Sequence, residues 1–219
     1  MNESRATQQV QVIGQGAEAM AAYRVLAARV AIFSGVLAVA TGIYQIWRGQ
    51  HGWVLQGNTF YWDWLKVLIA VAAFGTVLLW RKAKGAGDLF WSVGMRRVVI
   101  AFTPAMLAGA VVSYEMVSGY DEYELCALIW VLFYGVALLA VRQVVPRALR
   151  GPGWMFFISG LVITLVWRRY GAALAPQLGV GEAQTAAAIM VVTFGLLHLM
   201  HGAVVLLGKG SDGKVYSRQ

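Results

Sequence analysis

The sequence has few charged residues, a single cysteine and four prolines among its 219 residues. Charged side chains make up 13% of the chain and apolar side chains 59%, whereas about a quarter of a soluble domain is charged. This composition excludes disordered, collagen-like and nucleic-acid-binding proteins. With a single cysteine, the chain cannot be a disulfide-rich secreted protein. Cys126 lies inside an apolar run, where a lone thiol behaves as a small apolar side chain.

The motifs of several enzyme classes are also absent. The sequence contains no HExxH, no GxSxG, no GxxxxGK[ST] and no pair of aspartates within an apolar run. Metalloprotease, serine hydrolase, nucleotide hydrolase and aspartyl protease chemistry therefore have no support. We assign no catalytic residue, no metal site and no cofactor, and the sequence favours a non-enzymatic protein while leaving an enzyme open.

The chain contains six apolar runs of about the length that a membrane span requires. One of them, Leu125 to Ala140, is apolar on every face, which is typical of a helix in lipid and not of an alternating barrel strand. We therefore predict an all-α integral membrane protein whose six transmembrane helices form three helical hairpins. The predicted spans are residues 25–47, 60–80, 98–117, 125–141, 154–170 and 184–207.

The predicted transmembrane domain covers residues 25–208. Residues 1–24 form a polar cytoplasmic segment, and residues 209–219 form a cytoplasmic tail. We expect the alanine-rich segment Ala17–Ala28 either to extend the first helix into the cytoplasm or to lie on the membrane surface.

Basic residues are distributed unequally between the two sides of the predicted spans. With the N-terminus inside, 14 of the 18 lysines and arginines fall in cytoplasmic segments and three in outer loops, and Lys66 lies within a span. Because basic residues collect on the cytoplasmic side, both termini are predicted to be cytoplasmic. The expected partner of this charge is the anionic headgroup layer, and not nucleic acid. Eight of the nine tryptophans, Trp64 among them, fall at predicted boundaries, and only Trp130 lies within a span.

An aromatic residue followed by glycine recurs at intervals of 60 residues. The pairs are Phe74-Gly75, Tyr134-Gly135 and Phe194-Gly195. Their equal spacing favours three parallel hairpin repeats around an axis normal to the membrane. The alternative is that each small residue independently lets two helices approach closely.

Small residues also form two longer faces. One comprises Ser34, Ala38 and Gly42 on the first helix, and the other Ala101, Ala105, Gly109 and Ser113 on the third. Such faces favour close helix packing, within the chain or with a partner.

The connection between the third and fourth helices is predicted to be a tight turn. Asp121 and Glu124 have the spacing of a capping box, which predicts that Asp121 begins the fourth helix.

Ionisable residues within spans are the candidate ligand- or ion-binding residues, because charge in lipid is costly. Asp63 and Lys66 lie one turn apart on the second helix, and Glu115 lies near the outer end of the third. A Lys66–Glu115 pair lining an outward-facing cavity would form such a site. The alternative, which we favour, is that Lys66 pairs with Asp63 or extends to the surface.

His198 and His201 lie on one face of the sixth helix. Two neighbouring histidines of one helix cannot bind haem iron from opposite sides, and no span offers a carboxylate or cysteine at matching depth for zinc. We predict hydrogen bonds between helices for both histidines. His198 is also a candidate ligand-binding residue as an intramembrane polar group.

Several short blocks resemble a family of bacterial six-span membrane proteins that has no assigned activity. The blocks are Leu132–Ala137, Val145–Arg147, Gly153–Phe156 with Ser159-Gly160, and Phe194–His198. The resemblance runs from about Gln45 to Gly208. It implies a bacterial inner-membrane location and nothing about a cofactor or ligand.

Two functional hypotheses follow from the sequence. The first is a non-enzymatic membrane module that assembles with itself or with a membrane partner through helix contacts. The second is a small transporter or ligand-binding protein with an outward-facing polar site around Lys66 and Glu115.

Overall fold

The computed structural model describes residues 3–53, 57–87, 89–143, 151–178 and 181–207. These residues form six long helices and no β-strand. The helices are α1 (Glu3–Gln50), α2 (Gly57–Ala86), α3 (Val93–Tyr120), α4 (Tyr123–Ala140), α5 (Gly151–Leu178) and α6 (Glu182–Leu207). The predicted all-α class is confirmed.

Five of these helices are long and apolar enough to cross a membrane, namely α1 from Ala22 onward, α2, α3, α4 and α6. The apolar part of α5 is shorter, Gly151–Trp167. With five to six apolar helices, the chain has the character of a multi-pass membrane protein. Each predicted span lies within one helix, except that residue 141 falls in a short 3₁₀ turn, Val141–Gln143. The predicted tail, residues 209–219, lies outside the described residues.

α1 is much longer than a membrane span. It has 48 residues, of which Ala22–Gln50 are apolar enough to cross the bilayer. At 1.5 Å per residue the whole helix is about 72 Å long, against about 30 Å of hydrocarbon. The segment Ala17–Ala28 lies within α1, and its position relative to the membrane stays a prediction.

Five helices form a closed ring in the order α1, α2, α3, α4 and α6. Each packs against the next, and α6 returns to α1. α5 lies outside this ring and packs mainly against α4, with little contact to α6. The predicted arrangement as three hairpins is therefore not confirmed, because α5 and α6 scarcely pack as a pair.

Glycines bring α1 and α6 together closely enough to close the ring. A Cβ added to Gly35 would lie 2.8 Å from the carbonyl oxygen of Gly195, and a Cβ added to Gly202 would lie 3.1 Å from that of Ala28. A Cβ on Gly42 would overlap the Val191 side chain. The two backbones approach so closely that larger side chains would separate them.

The small-residue faces predicted from the sequence are used within the chain. Gly42 faces α6, and a Cβ on Gly109 of α3 would lie 2.7 Å from the Phe133 side chain of α4. Ser113, from the same face as Gly109, is fully buried. These faces are therefore occupied by neighbouring helices of the same chain.

The three aromatic-glycine pairs are packed differently from one another. A Cβ on Gly135 would lie 2.6 Å from the backbone nitrogen of Phe157, and a Cβ on Gly195 would lie 2.7 Å from the Val39 side chain. A Cβ on Gly75 would meet only Val30, at an ordinary 3.7 Å. Two of the three glycines thus mark close helix contacts, and Gly75 does not.

The link between α3 and α4 is short, but the predicted capping box is wrong. Asp121 has a φ of 57°, in the left-handed region, and its backbone N–H donates to the carbonyl of Met116, so Asp121 ends α3. An N-cap residue needs an extended backbone, which Asp121 does not have. Glu122 precedes α4 without a side-chain cap, and Glu124 instead accepts a hydrogen bond from the Trp167 indole.

Candidate functional site

The first polar cluster lies where the C-terminal end of α1 meets the N-terminal end of α2. Gln45 is fully buried, and its Oε1 accepts a hydrogen bond from the Trp64 indole at 3.0 Å. Its Nε2 donates to Asp63 Oδ2 at 3.4 Å, and Asp63 Oδ1 accepts from Lys66 Nζ at 3.1 Å. Because a polar group buried in a membrane protein needs a partner, these bonds hold α2 against α1.

Lys66 and Glu115 do not form a pair. The Lys66 ammonium pairs with Asp63, and its side chain is 74% exposed, which is the alternative that the sequence favoured. Glu115 is exposed on α3 and makes no ion pair with any residue in the described ranges. Trp64, predicted at a membrane boundary, is only 3% exposed, because its indole N–H bonds to Gln45 inside the protein.

The second polar cluster is a tyrosine–histidine pair between α4 and α6. The Tyr134 hydroxyl lies 3.0 Å from His198 Nε2, and His198 Nδ1 lies 2.8 Å from the Phe194 carbonyl oxygen. A carbonyl only accepts, so Nδ1 carries the proton and donates to Phe194. In the neutral ring Nε2 then accepts from Tyr134. His198 thus makes the hydrogen bond between helices that the sequence predicts for it.

Aromatic rings from three helices enclose this pair. The ring centroid of Phe156 on α5 lies 4.7 Å from that of His198 and 4.8 Å from that of Tyr134. Phe102 of α3 and Phe194 of α6 meet Tyr134 at 6.2 Å and 5.1 Å. His198 therefore lies in an apolar enclosure, with both ring nitrogens already bonded. Neither nitrogen is open to a metal ion in this arrangement.

α6 changes helix type beside His198. It is α-helical over Glu182–Met190, π-helical over Val191–Leu197, here called the π segment, and α-helical again over His198–Leu207. Irregular backbone in a membrane protein must have its polar groups satisfied internally. Thr193 Oγ1 donates to the Ile189 carbonyl at 2.7 Å, and His198 donates to that of Phe194, so side chains contribute to this requirement.

The π segment also determines where His198 points. In a continuous α-helix, eight residues at about 100° each would turn His198 about 80° away from Met190. A π turn accommodates one additional residue, so His198 lies near the direction of the seventh residue, within about 20° of Met190. Met190, Phe194 and His198 line one cavity. Residues at i, i+4 and i+8 already share one side of a regular α-helix, and the π turn brings His198 closer to the direction of Met190.

This cavity has a volume of about 40 Å³ and lies inside the five-helix ring. Every helix of the ring contributes to its wall, which comprises Ser34, Ala38, Trp64, Val67, Leu68, Val71, Met106, Trp130, Tyr134, Met190, Phe194 and His198. The wall contains none of the four charged residue types. The site is therefore a mostly apolar space with a few hydrogen-bonding residues in its wall, and it lacks the charged groups found around Asp63.

His198 could be identified from the sequence, but its partners could not. Tyr134 stands out in the sequence only as part of an aromatic-glycine pair, and Gln45 carries no charge that would mark it as an intramembrane ionisable residue. An amide inside an apolar run is the signal that points to Gln45. No local signal pairs Tyr134 with His198, which lies 64 residues later in the sequence.

Comparisons with protein-family models, with curated proteins and with solved structures give no match to this chain. The resemblance to bacterial six-span proteins therefore stays a prediction.

Proposed function

We propose that the chain is a six-span protein of the bacterial inner membrane with both termini in the cytoplasm, and that it is a non-enzymatic module that assembles with a second copy along α2. The orientation is supported by the 14 basic residues on one side against three on the other. These charges would lie against the anionic headgroups of the inner leaflet.

The assembly is supported by the unequal burial of the helices. Only 6% of the most apolar stretch of α2 is buried, against 33% for α1 and α6 and 39% for α4. The other small-residue faces are filled by the chain itself, whereas Ala72, Ala73 and Thr76 on α2 are exposed. Ala72 and Thr76 are four residues apart, the spacing that lets two transmembrane helices approach. This open face of α2 is the single observation that carries the proposal.

Disulfide crosslinking in isolated membranes tests the assembly. Ala73→Cys places a thiol on the open face of α2, and Val162→Cys places one on the outer surface of α5 as a matched control. Cys126 is buried, so the parent chain should not crosslink. We expect a dimer from Ala73→Cys and little from Val162→Cys. Equal crosslinking at both positions would contradict the proposal, and a crosslink to a different protein would replace the second copy with a membrane partner.

Cysteine labelling tests the orientation. Trp53 follows α1 and is 58% exposed, and Gly85 near the end of α2 has open space around it. A membrane-impermeant maleimide added to the periplasmic side should modify Trp53→Cys and spare Gly85→Cys. The opposite pattern would reverse the orientation.

One observation supports the alternative of a transporter or ligand-binding protein. The Asp63 carboxylate is held between Gln45 and Lys66 at one end of the bundle, where it would offer oxygen to a cation. Its candidate residues remain Asp63, Lys66, Glu115 and His198. Sodium uptake into proteoliposomes that is lost in Asp63→Asn and kept in Glu115→Gln would favour this alternative. Uptake no greater than in protein-free liposomes would contradict it.

A further inference from the structure

A second cavity opens at the end of the bundle where α1 ends and where α4 and α6 begin. Its volume is about 350 Å³, which is within the range of pockets that bind small molecules. Its wall comprises Trp53 after α1, Tyr123 of α4, and Glu182 and Gln184 of α6, with glycines and one alanine between them. Three helix ends therefore surround a space large enough for a small organic molecule.

The backbone around this cavity places two of the side chains in its wall. Gly52 has a φ of 73°, in the left-handed region that favours glycine, and the Trp53 N–H donates to a carbonyl in the last turn of α1 at 3.1 Å. This turn brings Trp53 back beside the end of the helix. At the start of α6, the Gly181 N–H donates to the Gln184 side chain. That bond fixes the first turn of α6, which carries Glu182.

The wall offers aromatic rings to a guest. Tyr123 packs on the buried Phe60, with ring centroids 5.9 Å apart and an interplanar angle of 86°. Trp53 already has a cation against its ring, since the Arg48 guanidinium lies 5.6 Å from the ring centroid. The faces of aromatic rings attract cations, and tryptophan does so most strongly. Trp53 is 58% exposed, so part of its surface stays accessible to a second molecule.

The charge of the wall also favours a cation. Among the residues that the structure describes, the wall contains Glu182 and no lysine, arginine or histidine. The Glu182 carboxylate is exposed and forms no ion pair with any of these residues. Asp121 and Glu182 both lie close enough to Tyr123 to interact with it electrostatically. Arg48 opposes this negative charge, but it does not line the cavity and also lies against the Tyr44 ring. A cationic guest would therefore supply the counter-charge that Glu182 lacks.

The wall does not suit a metal ion. Bound metals need several oxygen, nitrogen or sulfur ligands, and the described ranges contain no group of three His, Cys, Asp or Glu residues that could hold one. One carboxylate beside aromatic rings suits a cation that carries hydrocarbon around its charge, such as a quaternary ammonium. We propose that this cavity is a binding site for a small organic cation of the quaternary ammonium class, with Glu182 as its counter-charge and Trp53 and Tyr123 as its aromatic walls. The site is distinct from the α2 face, so dimer crosslinking and cation binding can fail independently.

Nuclear magnetic resonance of the whole protein in detergent micelles, with ¹⁵N-labelled tryptophan, tests the proposal. The variant Trp53→Phe identifies the indole signal of Trp53. The variant Trp91→Phe identifies that of Trp91, which is also 58% exposed and lies outside the cavity wall. At constant ionic strength, tetramethylammonium chloride should shift the Trp53 signal until it saturates and leave the Trp91 signal in place. No shift of the Trp53 signal, or an equal shift of both, would overturn the proposal.

Two carboxylate variants separate direct contact from long-range attraction. Glu182→Gln removes the charge that lines the cavity, and Glu122→Gln removes a charge just before α4. Both residues are exposed, so neither change should affect folding. We expect the half-saturating concentration of tetramethylammonium to rise about fivefold in Glu182→Gln and less than about twofold in Glu122→Gln. A concentration in Glu182→Gln no higher than in Glu122→Gln would overturn the proposal.

A neutral molecule of the same shape tests whether the charge is needed. Choline and the alcohol in which carbon replaces its nitrogen fill the same space, and only choline is a cation. Choline should shift the Trp53 signal as tetramethylammonium does, and the neutral alcohol at the same concentration should not. Equal shifts by the two molecules would overturn the proposal.

Lipid nanodiscs distinguish the two sources of such a cation. The headgroup of phosphatidylcholine ends in a quaternary ammonium, whereas that of phosphatidylglycerol carries no cation. A Trp53 signal that is already shifted in phosphatidylcholine discs would identify a lipid headgroup as the guest. The same tetramethylammonium titration in both kinds of disc would identify a free solute. Both results support a site for an organic cation.

Discussion

α1 has two neighbours in the ring, and it is joined to them in different ways. Against α6 it presents glycines, and the two backbones meet with carbonyl oxygens close to Gly35 and Gly202. Against α2 it presents side chains, through the bonds of Gln45 to Trp64 and Asp63 and a stack of Phe33 on Phe74 with ring centroids 4.3 Å apart.

The difference shows two ways of holding helices together when both lipid and protein are apolar. Burial of apolar surface gives little preference for a protein neighbour over lipid, so fit and polar bonds decide the pairing. The α1–α6 contact depends on the absence of side chains, and the α1–α2 contact depends on their presence. Adding a side chain should therefore weaken the α1–α6 contact, and removing a polar side chain should weaken the α1–α2 contact.

The largest effect is expected from Gly35→Ala. The new methyl group would meet the Gly195 carbonyl oxygen, which cannot rotate away, so α1 and α6 must separate. We expect a loss of about 1–3 kcal/mol in the free energy of unfolding, measured by reversible unfolding in mixed micelles. An unchanged stability would show that the α1–α6 contact is looser than described.

A smaller loss is expected from Gln45→Leu. The change removes both hydrogen bonds from α1 to α2 and leaves the Trp64 indole N–H buried without its acceptor. We expect a loss of about 1–2 kcal/mol in the free energy of unfolding. Trp64→Phe and the double variant complete a double-mutant cycle. Strictly additive effects would mean that the Gln45–Trp64 bond does not couple the two helices.

Across the ring, Tyr134→Phe removes the hydroxyl that donates to His198 while keeping the ring in its aromatic enclosure. We expect a loss of about 1 kcal/mol. In ¹⁵N-histidine spectra the Nε2 signal of His198 should shift, and the signal of His51, which is exposed in a turn, should not. A His198 spectrum identical to that of the parent would exclude the bond.

The smallest effect, and of opposite sign, is expected from Gly75→Ala. The methyl group has only Val30 near it, at ordinary contact distance, and alanine is the better helix former. The free energy of unfolding should rise by about 0.5 kcal/mol. A loss comparable to that of Gly35→Ala would show that α2 packs as closely on α1 as α6 does.

The helices themselves could be predicted from the sequence, because the length and composition of one continuous apolar run identify a membrane span. The close contacts at Gly42 and Gly109 were also accessible, since small residues at helical spacing form a face. The partner of that face could not be predicted, because a small residue packs equally well against another helix of the same chain or against another protein.

The features that could not be predicted depend on residues distant in the sequence. The burial of Trp64 is one example, because its hydrogen-bond partner Gln45 lies 19 residues earlier. The position of α5 outside the ring depends on which helices pack together, which hydropathy does not record. No sequence motif marks the π segment. Its π turn accommodates one additional residue between Met190 and His198.

The N-terminal part of α1 has a physical consequence for whatever binds its tip. The helical residues from Glu3 to Arg24, which precede the predicted span at 25–47, number 22, and they make a rod of about 33 Å. Electrostatic potential decays over about 8 Å at physiological ionic strength. A molecule held at the far end of this rod would stand more than three such lengths from the first residue of the predicted span and would scarcely sense charges there.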